Sequence, residues 1–165
     1  MKSENQPSPN DKEVNQFLTF ELAGDSYAVE ILKVQEIRGW EPVRKIPNTP
    51  GFIKGALNLR GTIVPVLDLR ERFGLENVEY TPVTVVIVLS INNNDHPMVL
   101  GVIADTVSDV LDLNLADIKP APNFGVNIDT RYMRGIYVAK QGMIMLLDVD
   151  KLLDVDDLTK IESLL

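Results

Sequence analysis

The chain has 165 residues, 45% of them apolar, enough for one domain or two tightly joined halves and too apolar for global disorder. Its 16 Lys and Arg stand against 24 Asp and Glu, a formal charge of -8, which disfavours nucleic acid and anionic membrane surfaces as partners. There is no cysteine, so disulfides and thiolate metal sites are excluded and a reducing compartment is permitted.

Residues 1–15 are polar, with Pro7 and Pro9, and read as a disordered arm. The opening stretch lacks the apolar core of a signal peptide. No apolar run approaches the about 20 residues of a membrane span, so a cytoplasmic protein without membrane insertion is expected. "FLTFEL" (17–22) and "YAVEI" (27–31) read as hairpin partners around a turn at "GDS" (24–26). In "KVQEIRG" (33–39), simple alternation on a strand places Val34 and Glu36 on one face and Ile37 on the other.

"GALNL" and "TIVPVLDL" form a further hairpin with Arg60-Gly61 at its tip. Pro65 cannot donate to a ladder, which predicts an edge strand or a bulge there. "VTVVIVLSI" (83–91) is a nearly continuous β-branched run and reads as a strand buried on both faces. "NNNDHP" (92–97) reads as a turn and "MVLGVIAD" (98–105) as the returning strand. In "DDLTKIESLL", Leu158, Ile161 and Leu165 stand at helical spacing, with Asp156 or Asp157 available as a cap.

Segments recur in order. Phe52-Ile53-Lys54-Gly55 aligns with Tyr132-Met133-Arg134-Gly135, and Leu67-Asp68-Leu69 with Leu147-Asp148-Val149, both 80 residues on. Val34, Glu36 and Ile37 align with Val107, Asp109 and Val110, and "FLTFEL" with "VVIVLS". The pattern predicts an all-β fold duplicated as two subdomains, 16–80 and 81–155, followed by a helix over 156–165. The second hairpin tip, Ala139-Lys140-Gln141-Gly142, lacks the Arg-Gly of the first.

Catalytic chemistry has little to work with. His96 is the only histidine and lies in a polar stretch, and neither a nucleophile elbow nor a phosphate-binding glycine motif is present. Asp68 and Asp148 hold equivalent positions at strand ends, where capping the following turn is their expected job. Surface features are the better candidates for function. Phe124 sits in a loop rich in Pro, Asn and Gly, where an aromatic either tucks into the core or anchors a partner.

"FELAGDSYAVEILKVQEIRGW", "IPNTPGFIKGALNLRGTIVPVLDLRERFG", "TVVIVL", "SDVLDL" and "IKPAPNF" together resemble the CheW-like family of bacterial chemotaxis coupling proteins, from about Phe17 to Leu153. The resemblance implies two SH3-like five-stranded β-barrels on a shared apolar core. It also implies a non-enzymatic adaptor that needs no cofactor and no metal. Its implied partners are the regulatory domain of the histidine kinase CheA, the cytoplasmic tips of chemoreceptors, and other CheW copies in rings within membrane-associated arrays. A coupling module of another chemosensory pathway, for surface motility or second-messenger control, is the alternative. Carried over by motif, Val34, Glu36, Gly55, Arg60 and Ile63 are expected to contact receptor or kinase. Val85, Val86, Val107 and Val110 are expected to form an apolar wall for the receptor tip, and Phe124 to serve a ring interface.

Overall fold

The computed structural model describes residues 14–75, 79–93, 95–120, 130–140 and 142–164. Strand β1 (Val14–Leu22) turns through Ala23-Gly24 into β2 (Asp25–Glu30), and β3 (Val34–Gly39) follows a single 3₁₀ turn. Then come β4 (Ile53–Leu59), β5 (Thr62–Asp68) and the one-turn helix α1 (Leu69–Arg72). They are followed by β6 (Val85–Asn93), β7 (His96–Ala104), β8 (Thr106–Asn114), β9 (Met133–Ala139), β10 (Gly142–Leu147) and helix α2 (Val155–Leu164).

The strands make two five-stranded sheets, ordered β8-β1-β2-β10-β9 and β3-β6-β7-β5-β4. The sheets do not divide where the sequence predicts halves at 16–80 and 81–155. Strands β1 and β2 join the sheet of β8 to β10, while β3 to β5 join that of β6 and β7. Each half of the chain therefore supplies strands to both sheets. When segments are matched as the repeat matches them, β1 with β6 through β5 with β10, the two strand orders are the same. The parallel contacts also correspond: β2 runs parallel to β10 and β7 parallel to β5.

Alternation along β6 shows how the core is divided. Ile87 and Leu89 face the central core between the sheets, with Phe20, Tyr27, Leu100 and Leu147. Val86 and Val88 face a smaller cluster on the other side of their sheet, with Val64, Val66 and Ile103. The first sheet has its own outer cluster around Phe17, Ala28 and Leu146. Burial on both faces explains why this strand reads as an unbroken apolar run.

Several local expectations are corrected. Strand β1 starts at Val14, inside the arm expected over 1–15, because Val14 already pairs with Asn114 of β8. The first hairpin turns at Ala23-Gly24, with φ of 51° and 86°, so Asp25 and Ser26 belong to β2. The expected 92–97 turn is shorter: Asn92 pairs with Pro97 and Asn93 with His96, so the ladder holds polar residues the pattern assigns to a loop. Pro65 is not on an edge, since β5 lies between β7 and β4. The ladder to β7 starts only at Val66, and the nearby bulge lies on β4, between Ile53 and Gly55.

At the C-terminal end, Asp154 is the residue that caps α2. Its carboxylate accepts the Asp157 N–H at 2.8 Å, and the Asp157 carboxylate accepts the Asp154 N–H at 3.2 Å, a reciprocal capping box. Leu158 and Ile161 enter the central core as the spacing predicts, and Leu165 lies outside the described residues. Asp68 does cap α1, accepting the Arg70 N–H at 2.9 Å, but Asp148 makes no side-chain cap to the 3₁₀ turn after it.

Candidate functional site

The hairpin tip is a two-residue turn. Leu59 pairs with Thr62, and Arg60 and Gly61 both have positive φ, 51° and 88°, as such turns require. The Asn58 side-chain oxygen accepts the Gly61 N–H at 2.8 Å and braces the turn. From this tip, Arg60 Nη2 donates to Glu36 Oε1 at 2.9 Å, while Arg38 Nε lies 3.6 Å from Glu36 Oε2. The Arg60 side chain remains 74% exposed and that of Glu36 26%. Two residues far apart in sequence, each expected to be a contact residue, thus form one exposed charged cluster.

A bulge in β3 sets this geometry. Val34 pairs with Leu89 and Glu36 with Val88, so one extra residue, Gln35, is accommodated between them. Leu89 faces the central core and Val88 the outer cluster. Val34 and Glu36 are therefore on opposite faces, contrary to simple alternation. Ile37, paired with Ile87, returns to the face of Val34. Without the bulge, Glu36 would point toward the central core.

Ile63 is 48% exposed beside the tip. It lines a groove of about 580 Å³ with Arg44, Lys45, Ile46, Pro47 and Leu57. A second groove of about 240 Å³ runs along Arg38, Pro42, Val43, Arg44, Leu57 and Val86. The basic residues of the "VRKIP" segment were not singled out by the sequence pattern. Their signal was there, as adjacent cations in an acidic chain.

Gly55 behaves differently from its neighbours. It is buried, and a Cβ there would lie 2.1 Å from the Arg44 carbonyl oxygen. The structure assigns it a packing role rather than an exposed contact.

The expected valine wall divides. Val85 and Val107 are half-buried and pack on the margin of the central core. Val110 is 45% exposed and pairs with Leu18, which faces that core, so it shares the margin. Val86 is 2% exposed and belongs to the outer cluster of the second sheet, on the opposite face from Val85. Phe124 lies outside the described residues.

At the far end of β5 from the tip is a buried charge network. Arg70 is 2% exposed and forks onto both Asp68 oxygens at 2.9 Å, with a further bond to Asp105 Oδ1 at 2.7 Å. Burial works against its charge, but the hydrogen bonds and charges of Asp68 and Asp105 hold its pKa above the usual guanidinium value. Tyr80 donates to Asp68 at 3.0 Å and stacks on Trp40, with ring centroids 4.6 Å apart. Asp105 also accepts the Ala23 N–H at 2.7 Å, so the network ties the second sheet to the β1–β2 turn of the first.

Among the described residues no cluster of three His, Asp or Glu side chains could hold a metal, and no helix is long and apolar enough to cross a membrane. What the structure presents is a two-sheet β scaffold with an exposed charged pair at a hairpin tip and half-buried valines at the margin of its core. Comparison with known proteins makes the class specific. The model of the CheW-like domain matches residues 16–157, and the chain belongs to that family. It is 45% identical to the chemotaxis protein CheW of Klebsiella aerogenes over 148 residues, 90% of this chain and 87% of that one. It is 31% identical over 140 residues to protein FrzA of Myxococcus xanthus, 84% of each chain being covered. Among solved structures it resembles the scaffolding protein TtCheW of Thermoanaerobacter tengcongensis, with a TM-score of 0.78, 31% identity and 93% of each chain covered.

Proposed function

We propose that this protein is a non-catalytic adaptor that couples transmembrane chemoreceptors to the histidine kinase CheA and helps build receptor–kinase arrays. The observation that carries the reading is that the positions carried over from the family fall into two separate groups on one two-sheet fold. The Glu36–Arg60 pair stands at a hairpin tip, on the outer-cluster face of the second sheet. Val85, Val107 and Val110 stand at the margin between the sheets. An adaptor needs two such surfaces, and family membership supplies the context.

The valine margin suits the apolar face of a helical hairpin, the form of a receptor tip. Arg60, with most of its guanidinium in solvent, suits a carboxylate on a partner, which its planar fork matches better than a lysine would. The equal strand orders and corresponding parallel contacts support an origin by duplication and two SH3-like barrels. Two related edges would let similarly built partners bind head to tail and close into rings, with Phe124 at one such contact. Modest single contacts would then be strengthened by multivalency in a membrane-associated array. The same role in another chemosensory pathway is the second reading, favoured by the likeness to a relative that is not named for chemotaxis.

The test is binding of Arg60→Ala to a receptor cytoplasmic fragment and to CheA. Affinity for at least one of them should fall tenfold or more. Folding stability should change by less than about 1 kcal/mol, as for other exposed ion pairs. Unchanged affinity for both partners would remove Arg60 from the contact surface.

A further inference from the structure

We infer that Gly55 is a positioning residue: it affects partner binding through the segment 40–47, which it allows to lie directly against β4. The inference rests on the adaptor reading for its partners and on geometry for its mechanism. The chain leaving β3 comes against β4 in a single antiparallel bridge, its crossing point, held by two backbone hydrogen bonds. Arg44 N–H donates to the Ala56 carbonyl at 3.3 Å, and Ala56 N–H donates to the Arg44 carbonyl at 2.8 Å. Gly55 lies beneath this crossing with φ of 153°. A Cβ there would approach the Arg44 carbonyl oxygen to 2.1 Å, its carbon to 2.7 Å and Val43 Cγ2 to 2.9 Å. Two of these atoms are backbone, so a side chain can be fitted only if the whole crossing lifts.

That crossing separates the two grooves beside the charged tip, since Arg44, Ala56, Leu57 and Asn58 line both. The β4 bulge between Ile53 and Gly55 brings Gly55 under the crossing. The surface position of Arg44 and Lys45 relative to Ile63 and Arg60 thus depends on a buried residue. Every substituent at Gly55 should act at a distance, by moving the groove wall.

The other sheet supplies a matched control. Lys119 crosses β9 through Lys119 N–H to Ile136 O at 2.9 Å and Ile136 N–H to Lys119 O at 2.8 Å. Gly135 lies beneath, where a Cβ would come within 2.6 Å of the Lys119 oxygen and 2.5 Å of Ile118 Cγ2. Gly135→Ala should disturb packing as Gly55→Ala does, but away from the Arg60 tip. The molecule also contains its own probe. Its single tryptophan, Trp40, begins the moving segment and is stacked on Tyr80.

The experiment compares wild type, Gly55→Ala, Gly135→Ala and Arg60→Ala for affinity to a receptor cytoplasmic fragment and to CheA, together with Trp40 emission. Gly55→Ala should lose at least tenfold affinity for the partner that Arg60→Ala also weakens, and Trp40 emission should shift to longer wavelength as the stack loosens. Gly135→Ala should leave both readouts near wild type. Should Gly55→Ala not fold, Arg44→Pro removes the N–H that donates to Ala56 and should give the same two changes, while Arg44→Gln, which keeps the bridge, should leave Trp40 emission unshifted. Unaltered Trp40 emission, wild-type affinity in Gly55→Ala, or an equal loss in Gly135→Ala overturns the inference. If wild type binds neither partner, the adaptor reading fails, while Trp40 emission still decides whether Gly55 seats the segment.

Discussion

Arg60 occupies a backbone position that does not favour it. With φ at 51° it sits in the left-handed region, where a residue other than Gly, Asn or Asp is held at a cost of about 1–2 kcal/mol. Local turn chemistry therefore does not explain an arginine there, and strain of this kind gathers at functional positions. Replacing it with a residue the turn prefers separates the two roles. Arg60→Asn should keep or raise stability in urea denaturation, by up to about 1 kcal/mol, while partner affinity falls; a destabilised Asn variant would make Arg60 a structural residue. Arg70 is the opposite case. It is buried against Asp68, and Arg70→Met leaves that carboxylate buried without its cation, so a loss of about 3–5 kcal/mol is expected in the same assay. A loss below about 1 kcal/mol would mean that water reaches Asp68 in its place. Nothing in "LRERF" marks Arg70 as buried, because burial depends on Tyr80 and Asp105 arriving from other parts of the chain.

Tyr80 links this network to pH. Burial, then the Asp68 charge, pushes its phenol up to about 12 from the usual 10.0. The folded protein thus binds that proton more tightly than the unfolded chain, and the stabilisation is complete below pH 10 and lost as pH rises toward 12. The stability difference between wild type and Tyr80→Phe should be constant below pH 10 and change between pH 10 and 12 to the disadvantage of wild type. A difference that stays flat across that interval contradicts the Tyr80–Asp68 contact.

At the scale of elements, the pattern of apolar runs and alternation between turn signals located β1, β2, β5, β6 and β7 in the sequence to within a few residues, because each buries at least one face. It failed at β3, where the bulge moved Glu36 to the face opposite Val34. A bulge changes the pairing of one strand against its neighbour, and a single strand's pattern contains no record of that register. The α2 spacing was readable, but its cap was placed two or three residues late, since any of three aspartates, Asp154, Asp156 and Asp157, could satisfy the pattern. The structure chooses Asp154, whose carboxyl is held below its usual range first by the Asp157 N–H. Asp154→Ala should cost about 1 kcal/mol in thermal or urea unfolding, and Asp156→Ala close to nothing. Equal effects would refute the assignment of the cap.

At the scale of the whole molecule, the segment matches in the sequence did not reveal which strands pair. Matched segments predict two similar units, yet β1 and β2 pair with β8 and β10 across most of the chain's length. Pairing partners of long sequence separation leave no local trace, so contiguous halves were the natural reading of the repeat. The interleaving matters for the proposed role, because the two halves of the chain cannot part without breaking the ladders of both sheets. Both proposed contact sets then stay on one interleaved fold, as a coupling element requires. The claim of coupling is tested most directly by reconstituting CheA with receptor fragment arrays on vesicles and measuring kinase activity with and without this protein. Added wild-type protein should raise receptor-dependent kinase activity severalfold, and Arg60→Ala should restore little of it. Kinase activity that responds fully to receptor without the protein, and does not change on adding it, would contradict the account.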